Sequence, residues 1–483
     1  MDTRKRLTRT ATILVAVTLL AALSCTTDYV TGKKTFSLVS ESQEVQMGKE
    51  ADPEIVAEYG SYNNAALTQY VNGIGQALAA KSQRADMTYT FRVLDTPVVN
   101  AFALPGGYVY VTRGILAHFN SEDQLAGVVG HEIGHVVARH SAEQMSKQQL
   151  AGLGLALGSA VSETFQKYAE IAGVGLQLMF LKYSRTQESE ADLLGVEYST
   201  KVGYDASEMA GFFGTLQKMG EGSGQSLPSF LSTHPDPGDR QTRVHQLTKE
   251  WQQKVAYKPL GKNRGDYLNR IDGIVYGDDP RQGYTEGQMF YHPTLRFQFP
   301  VPNDWTVVNS TSTVRVVSPD EKAVVQMTLA EGASPEAAAE TFVTKNELTV
   351  QNRRARTIHG FSAVEVSSTG KSDTGEIRLL SCFIKKDTSV YAFHGYSAAG
   401  DFAKYSSSLS SVMGGFEEAR DQAVLNKQPQ KLHVKKAPKS GDLATVLKAL
   451  GTKPDMLKET ALMNGLDLTD TVQQGSWIKV VGN

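Results

Sequence analysis

The sequence predicts an α+β chain in three folded units: a mainly helical unit with a small sheet, an α+β domain, and a small C-terminal module. The length of 483 residues allows several domains. Apolar residues recur at helical spacing around 121–136 and 183–196, whereas apolar–polar alternation marks 295–299 and 314–317. A Lys/Pro/Gln-rich stretch, Asn426–Lys439, sets off the end of the chain.

At the N-terminus, Arg4, Lys5, Arg6 and Arg9 precede an apolar stretch from Ala11 to Leu23, followed by Ser24-Cys25. A positive segment, a short apolar segment and a small residue before cysteine predict a bacterial lipoprotein signal over 1–24. Cleavage there makes Cys25 the lipidated first residue and leaves 25–40 as a tether. Ala22 stands where leucine is more usual, and an uncleaved anchor or an ordinary secretory peptide is the alternative. No Asp follows Cys25, which by resemblance to lipoprotein sorting in two-membrane bacteria implies the outer membrane, facing the periplasm. Cys382 is the one other cysteine, so the mature chain has no internal disulfide and no Cys-rich metal site. Leu379–Ile384 around it suggests a buried strand. A net charge of −2 argues against nucleic acid as a partner.

The first unit is expected over 41–257. Ser121 with Gln124 suggests a capping box, and Glu122 and Asp123 suit the positive end of a helix dipole. Leu125, Val128, Val129, Ile133 and Val136 then supply an apolar stripe. On that helix lies His131-Glu132-Ile133-Gly134-His135, the HExxH pattern. Histidines at i and i+4 share a face and can share one Zn²⁺, with the neighbouring carboxylate as general base toward water. The alternative, a surface helix carrying two histidines by chance, fits poorly with the apolar flank, where an unpaired imidazole pair is costly to desolvate.

Tetrahedral zinc needs a third protein ligand and keeps a fourth place for water. Tyr183–Asp192 runs into Leu193, Leu194 and Val196 and predicts a second helix, with Glu188 and Asp192 on one face and Glu190 turned away. Glu188 as ligand backed by Asp192 is the economical assignment; a charged, solvated face is the alternative, and spacing leaves both open. His140 falls outside the longer metzincin spacing, which suits a supporting or surface role.

His131–His135 followed by Glu188-Ser189-Glu190-Ala191-Asp192, with Asn100-Ala101-Phe102-Ala103-Leu104-Pro105-Gly106-Gly107 ahead of them, resembles the HtpX-like and CAAX-prenyl-protease-like zinc metallopeptidases. The resemblance covers about residues 40 to 255. It implies a zincin-type fold rich in helices, one Zn²⁺ per chain on His131, His135 and Glu188, Glu132 as the catalytic base, and Asp192 as a support or proton donor. Similar His-Pro loops in some relatives approach the metal, so His234, in Thr233–Arg240, is a possible fourth ligand or latch; a solvent-facing loop histidine is the alternative. Arg240 or Arg185 is then a possible stabiliser of the tetrahedral intermediate.

Pro105-Gly106-Gly107 is a turn, and Tyr108–Thr112 has a β-favouring composition. A strand there is expected either to pair with an extended peptide or simply to pack in the sheet. Gln148–Met179 is apolar but interrupted by Glu163, Lys167 and Glu170, so no run there reaches bilayer-spanning length. It is expected to form a helical cover over the site.

A linker is expected over 258–289. The α+β domain follows over 290–417, with strands at Leu295–Phe299, Val314–Val317 and Val324–Leu329 and helices at Pro335–Lys345 and Asp401–Met413. A second linker, 418–438, leads to 439–483. There Gly441-Asp442-Leu443, Leu450-Gly451, Met463-Asn464-Gly465-Leu466 and Gln474–Val480 resemble a LysM module, a β-α-α-β unit that binds the glycan of peptidoglycan. Leu443 stands where threonine is usual, and a structural cap without glycan affinity is the alternative.

These readings predict a zinc-dependent endopeptidase of misfolded or misassembled envelope proteins in the periplasm, membrane-attached through lipid, with peptidoglycan as a candidate partner. A non-proteolytic assembly factor and a cell-wall hydrolase are the rival classes.

Overall fold

The computed structural model describes residues 25–32, 34–152, 178–179, 181–222, 229–234, 237–261, 264–372 and 375–482. The expected signal segment 1–24 lies outside these residues, as does most of the expected Gln148–Met179 cover. Among the described residues no helix is long and apolar enough to cross a membrane.

Two compact units emerge. One comprises the chain to Val56, Gly60–Tyr276 and Lys431–Gly482; the other comprises Ala57–Tyr59 and Gly277–Gln430.

The first unit opens with the short antiparallel pair β1 (Cys25–Thr27) and β2 (Lys34–Phe36). Helices α1 (Glu41–Tyr59) and α2 (Ala65–Ala79) follow, then strands β3 (Thr90–Leu94), β4 (Ala101–Leu104) and β5 (Tyr108–Thr112). Next come α3 (Arg113–His118), α4 (Glu122–Val137) and α5 (His140–Gly152), then α6 (Arg185–Val202), α7 (Glu208–Gly222), α8 (Ser229–Thr233), α9 (Pro237–Lys254) and α10 (Arg264–Ile271).

The sheet order is β3-β5-β4, with β5 parallel to β3 and antiparallel to β4. The Tyr108–Thr112 strand, expected as a place for a peptide to add, therefore lies between two neighbours and has no open edge. Ala101–Leu104 is the edge strand beside α4. Sequence alone does not order these strands, because the β3–β5 pairing is parallel and skips the intervening β4.

Helix α4 forms as expected, with one change at its start. Ser121 Oγ accepts from the Gln124 amide, but the Gln124 side chain accepts from the Asn120 amide, so the box is only half closed. Helix α10 stands within the expected 258–289 linker and buries Tyr267, Leu268 and Ile271 in the core.

The second unit carries three more strands, β6 (Tyr284–Glu286), β7 (Met289–His292) and β8 (Phe297–Pro300), and then β9 (Thr306–Asn309), β10 (Thr313–Val317) and β11 (Ala323–Leu329). Helix α11 (Pro335–Lys345) leads to β12 (Thr349–Ile358), β13 (Phe361–Ser372), β14 (Gly375–Lys386) and β15 (Ser389–Ala398), and α12 (Phe402–Gly414) to β16 (Glu417–Glu418). The antiparallel sheet runs β12-β13-β14-β15-β11-β10-β9. Alternation sends Val364, Phe383 and Ala392 to the face under α11, and Ala363, Cys382 and Phe393 to the face under α12. Cys382 is a buried strand residue, as expected, and burial pushes its thiol up to about 12.

The chain then returns to the first unit. Strand β17 (Lys431–Lys436), which falls in the expected 418–438 linker, pairs antiparallel with β20 (Trp477–Gly482). Between them lie β18 (Gly441–Asp442), α13 (Leu443–Ala449), α14 (Leu457–Met463) and β19 (Thr471–Val472). This segment packs into the first unit rather than standing apart from it. Leu432 and Met463 join its core, and fully buried Lys479 donates to the carbonyls of Ala117 and Phe119, both at 2.8 Å.

Candidate metal centre

Helices α4 and α6 meet where glycines remove side chains from between them. A Cβ on Gly195 would lie 2.7 Å from the His131 nitrogen, and one on Gly134 would lie 3.0 Å from the Ala191 carbonyl oxygen. This close approach seats Glu188 and Asp192 directly against the two α4 histidines. Helix α6 begins with a full capping box, Ser184 with Gln187, which satisfies its first amides one residue before Glu188.

His131, His135, Glu188 and His234 each point a ligand atom into one buried cluster whose donor atoms all lie within 4.8 Å. His131 Nε2 is 3.0 Å from His135 Nε2 and 3.6 Å from a Glu188 oxygen, and His135 Nε2 is 3.5 Å from the other. His234 Nδ1 lies 2.9 Å from Glu188 Oε1 and 3.3 Å from His131 Nε2. Donors bonded to one tetrahedral zinc lie about 3.3–3.6 Å apart. The spacing and the mixed nitrogen–oxygen set therefore fit a single zinc ion.

The charge states agree. Burial depresses His131, and burial with the neighbouring imidazoles depresses His135 further, so both rings keep the neutral, ligating form. Burial opposes ionisation of Glu188, but His234 and Arg240 outweigh it and hold its carboxyl below the usual range. Glu132 is fully buried, and burial pushes it up to about 8 although His234 and the Ala103 backbone amide favour its charged form. A buried carboxyl with so little support, facing a metal cluster, is costly for folding and suited to proton exchange.

Asp192 is shared by two partners. Its Oδ1 meets His131 Nδ1 at 2.9 Å and Arg240 Nη2 at 2.7 Å, while Oδ2 accepts from Arg240 Nε at 2.8 Å. Burial works against the carboxylate, but Arg240 and His131 hold it well below the usual range, so it carries no proton to give. Its geometry is that of a support for His131. The Arg240 Nη1 also lies 2.9 Å from Glu188 Oε2, which commits this guanidinium to two carboxylates. Arg185, by contrast, is exposed at the first residue of α6.

His234 is buried, not solvent-facing. Its ring stacks on Phe230 at 4.5 Å, and its Nε2 lies 3.6 Å from Glu132 Oε1. Two supporting groups could be anticipated only vaguely or not at all. His140 is buried against His135, and Tyr183 stacks on the His135 ring with centroids 3.9 Å apart. Nothing in the sequence spacing signals the tyrosine.

The profile of peptidase family M48 matches residues 65–249, which hold all four ligand positions. The chain is 31% identical over 231 residues to the mitochondrial metalloendopeptidase OMA1 of Schizosaccharomyces pombe, a match covering 47% of this chain and 67% of that protein. It is 30% identical over 229 residues to the beta-barrel assembly-enhancing protease of Escherichia coli (strain K12), covering 45% and 47%. The Yersinia pestis protein of the same name is 31% identical over 220 residues, covering 43% and 44%. The chain thus spans less than half the length of the bacterial relatives it matches. Because the likeness extends over two thirds of the Schizosaccharomyces pombe enzyme and the family profile takes in the whole zinc-compatible cluster, the chain belongs to peptidase family M48.

Proposed function

We propose that this protein is a zinc-dependent endopeptidase that cleaves misfolded or misassembled proteins of the cell envelope. The observation that carries the reading is the convergence of His131, His135 and Glu188 beside a fully buried Glu132. A zinc ion held there would polarise a peptide carbonyl and lower the pKa of a bound water. Glu132 takes the proton of the attacking water and returns it to the departing amine. Asp192 orients His131, and Arg240 holds Asp192 and Glu188 in register instead of reaching toward the substrate. The edge strand Ala101–Leu104 supplies unpaired backbone groups for an extended substrate, which suits unfolded chains of any sequence.

On this reading His234 takes the place that a catalytic zinc site keeps for water and acts as a latch, which its contact with Glu188 supports. Release requires His234 to leave Glu188 and Phe230 to leave its buried seat. The substrate class rests on relatives named beta-barrel assembly-enhancing protease. The finer HtpX-like and CAAX-prenyl-protease-like kinship rests on the motif order from Asn100 to Asp192 alone. Outer-membrane attachment through Cys25 and glycan binding by the β-α-α-β segment rest on the signal pattern and on the LysM-like motifs.

The test compares wild type with Glu132→Gln for zinc content and for hydrolysis of denatured casein. Retained zinc with cleavage reduced about 10²–10⁴-fold is expected; undiminished cleavage rejects the assignment. His234→Ala is expected to cleave casein faster than wild type while still binding zinc, and slower cleavage rejects the latch.

A further inference from the structure

Resting on the zinc reading above, we propose that His140 is a positioning residue for His135, forming with Glu190 a relay that fixes which nitrogen of His135 carries the proton. His135 Nδ1 and His140 Nδ1 lie 2.8 Å apart, and His140 Nε2 lies 3.2 Å from Glu190 Oε2. Two ring nitrogens at that distance share one hydrogen. A carboxylate only accepts, so His140 Nε2 carries a hydrogen toward Glu190 and His140 Nδ1 offers its lone pair. His135 Nδ1 is then the donor, which leaves the lone pair of His135 on Nε2, the atom facing Glu188 and His131. With both rings neutral, this arrangement of hydrogens satisfies both contacts of His140, and it is the arrangement a metal ligand needs.

The backbone is bent to make this contact. A continued helix would carry residue 140 well away from the face of His135, since five residues turn it through about 500°. Instead Arg139 adopts a left-handed conformation, φ 58°, one residue past the α4 cap, and α5 restarts at His140. That conformation costs a non-glycine residue about 1–2 kcal/mol. The Arg139 side chain holds it, donating from Nε to Glu44 Oε1 at 3.0 Å and from Nη2 to the Val39 carbonyl at 2.7 Å. Arg84 joins the same buried carboxylate at 3.5 Å and donates to the Val136 carbonyl at 3.2 Å, at the last turn of α4. Strain kept in place by a buried ion cluster, beside a metal ligand, marks a built feature of the site.

The experiment measures zinc affinity of the full chain by competition with a chromophoric chelator, with thermal unfolding of the zinc-free forms alongside. Wild type is expected to bind one zinc and His135→Ala to lose it. His140→Leu, which keeps bulk but no acceptor, is expected to bind about 10–100-fold more weakly. His140→Asn, whose amide oxygen replaces Nδ1 as acceptor, is expected to recover most of that loss. Wild-type affinity in His140→Leu, or an Asn variant as weak as the Leu variant, overturns the relay. If His140→Leu does not fold, partly exposed Glu190→Leu decides the matter: about a tenfold loss supports the relay and no loss overturns it. A wild-type chain that binds no zinc rejects the metal reading itself, and the relay with it; a wild type that binds while His140→Leu is unaffected rejects the relay alone.

Discussion

The two histidines of α4 are held by opposite means. His131 leans on an ion pair sealed from water, Asp192 with Arg240, and the aspartate side chain has no exposure. His135 leans on a second ring, His140, which hands the contact on to a partly exposed carboxylate, Glu190. Stacked Tyr183 covers its other side. A buried charge cannot be removed without costing its partner, whereas a chain of hydrogen bonds that ends near solvent can be trimmed step by step. One candidate ligand is held by buried charge; the other is held by hydrogen bonds.

The largest expected effect tests the first half of that contrast. Asp192→Ala leaves buried Arg240 with Glu188 alone, removes the partner of His131 Nδ1, and should destabilise the zinc-free chain by about 3–5 kcal/mol, measured by denaturant unfolding. A loss below about 1 kcal/mol would erase the distinction between the two supports. Next is Tyr183→Phe, which keeps the stack on His135 but strands Ser141, whose Oγ lies 3.0 Å from the tyrosine hydroxyl. About 1 kcal/mol of stability should go, with zinc affinity nearly unchanged; a large fall in affinity would mean that the phenol, not the ring face, orients the ligand. The smallest effect belongs to Glu190→Gln. Its amide oxygen still accepts from His140, so unfolding should shift by about 0.5 kcal/mol or less. A change as large as that of Asp192→Ala would show that both histidines rest on buried charge.

The two candidate histidine ligands were legible because their evidence is local. The i, i+4 spacing of His131 and His135, and of Glu188 and Asp192, puts each pair on one helical face whatever the rest of the chain does, but for Glu188 the spacing left a solvated face open and the family resemblance pointed to the ligand. In the second unit the strands around Leu295–Phe299 and Val314–Val317 were legible through alternation, and Pro335–Lys345 forms the helix expected there. What escaped depends on distant partners. The central place of Tyr108–Thr112 follows from a parallel pairing. The docking of α10 and β17 follows from surfaces supplied elsewhere. The left-handed Arg139 breaks the rule that favours glycine, and the carboxylate that holds it lies in α1. Asp192 was legible as a support but not as unable to release a proton, because Arg240 approaches from α9.

Lys479 reaches back 362 residues to the carbonyl of Ala117, just ahead of the active-site helix. The first unit is therefore stitched together from segments that lie on either side of the β-rich unit in sequence, and removing the Lys479 ammonium would leave two buried carbonyls unanswered beside that helix.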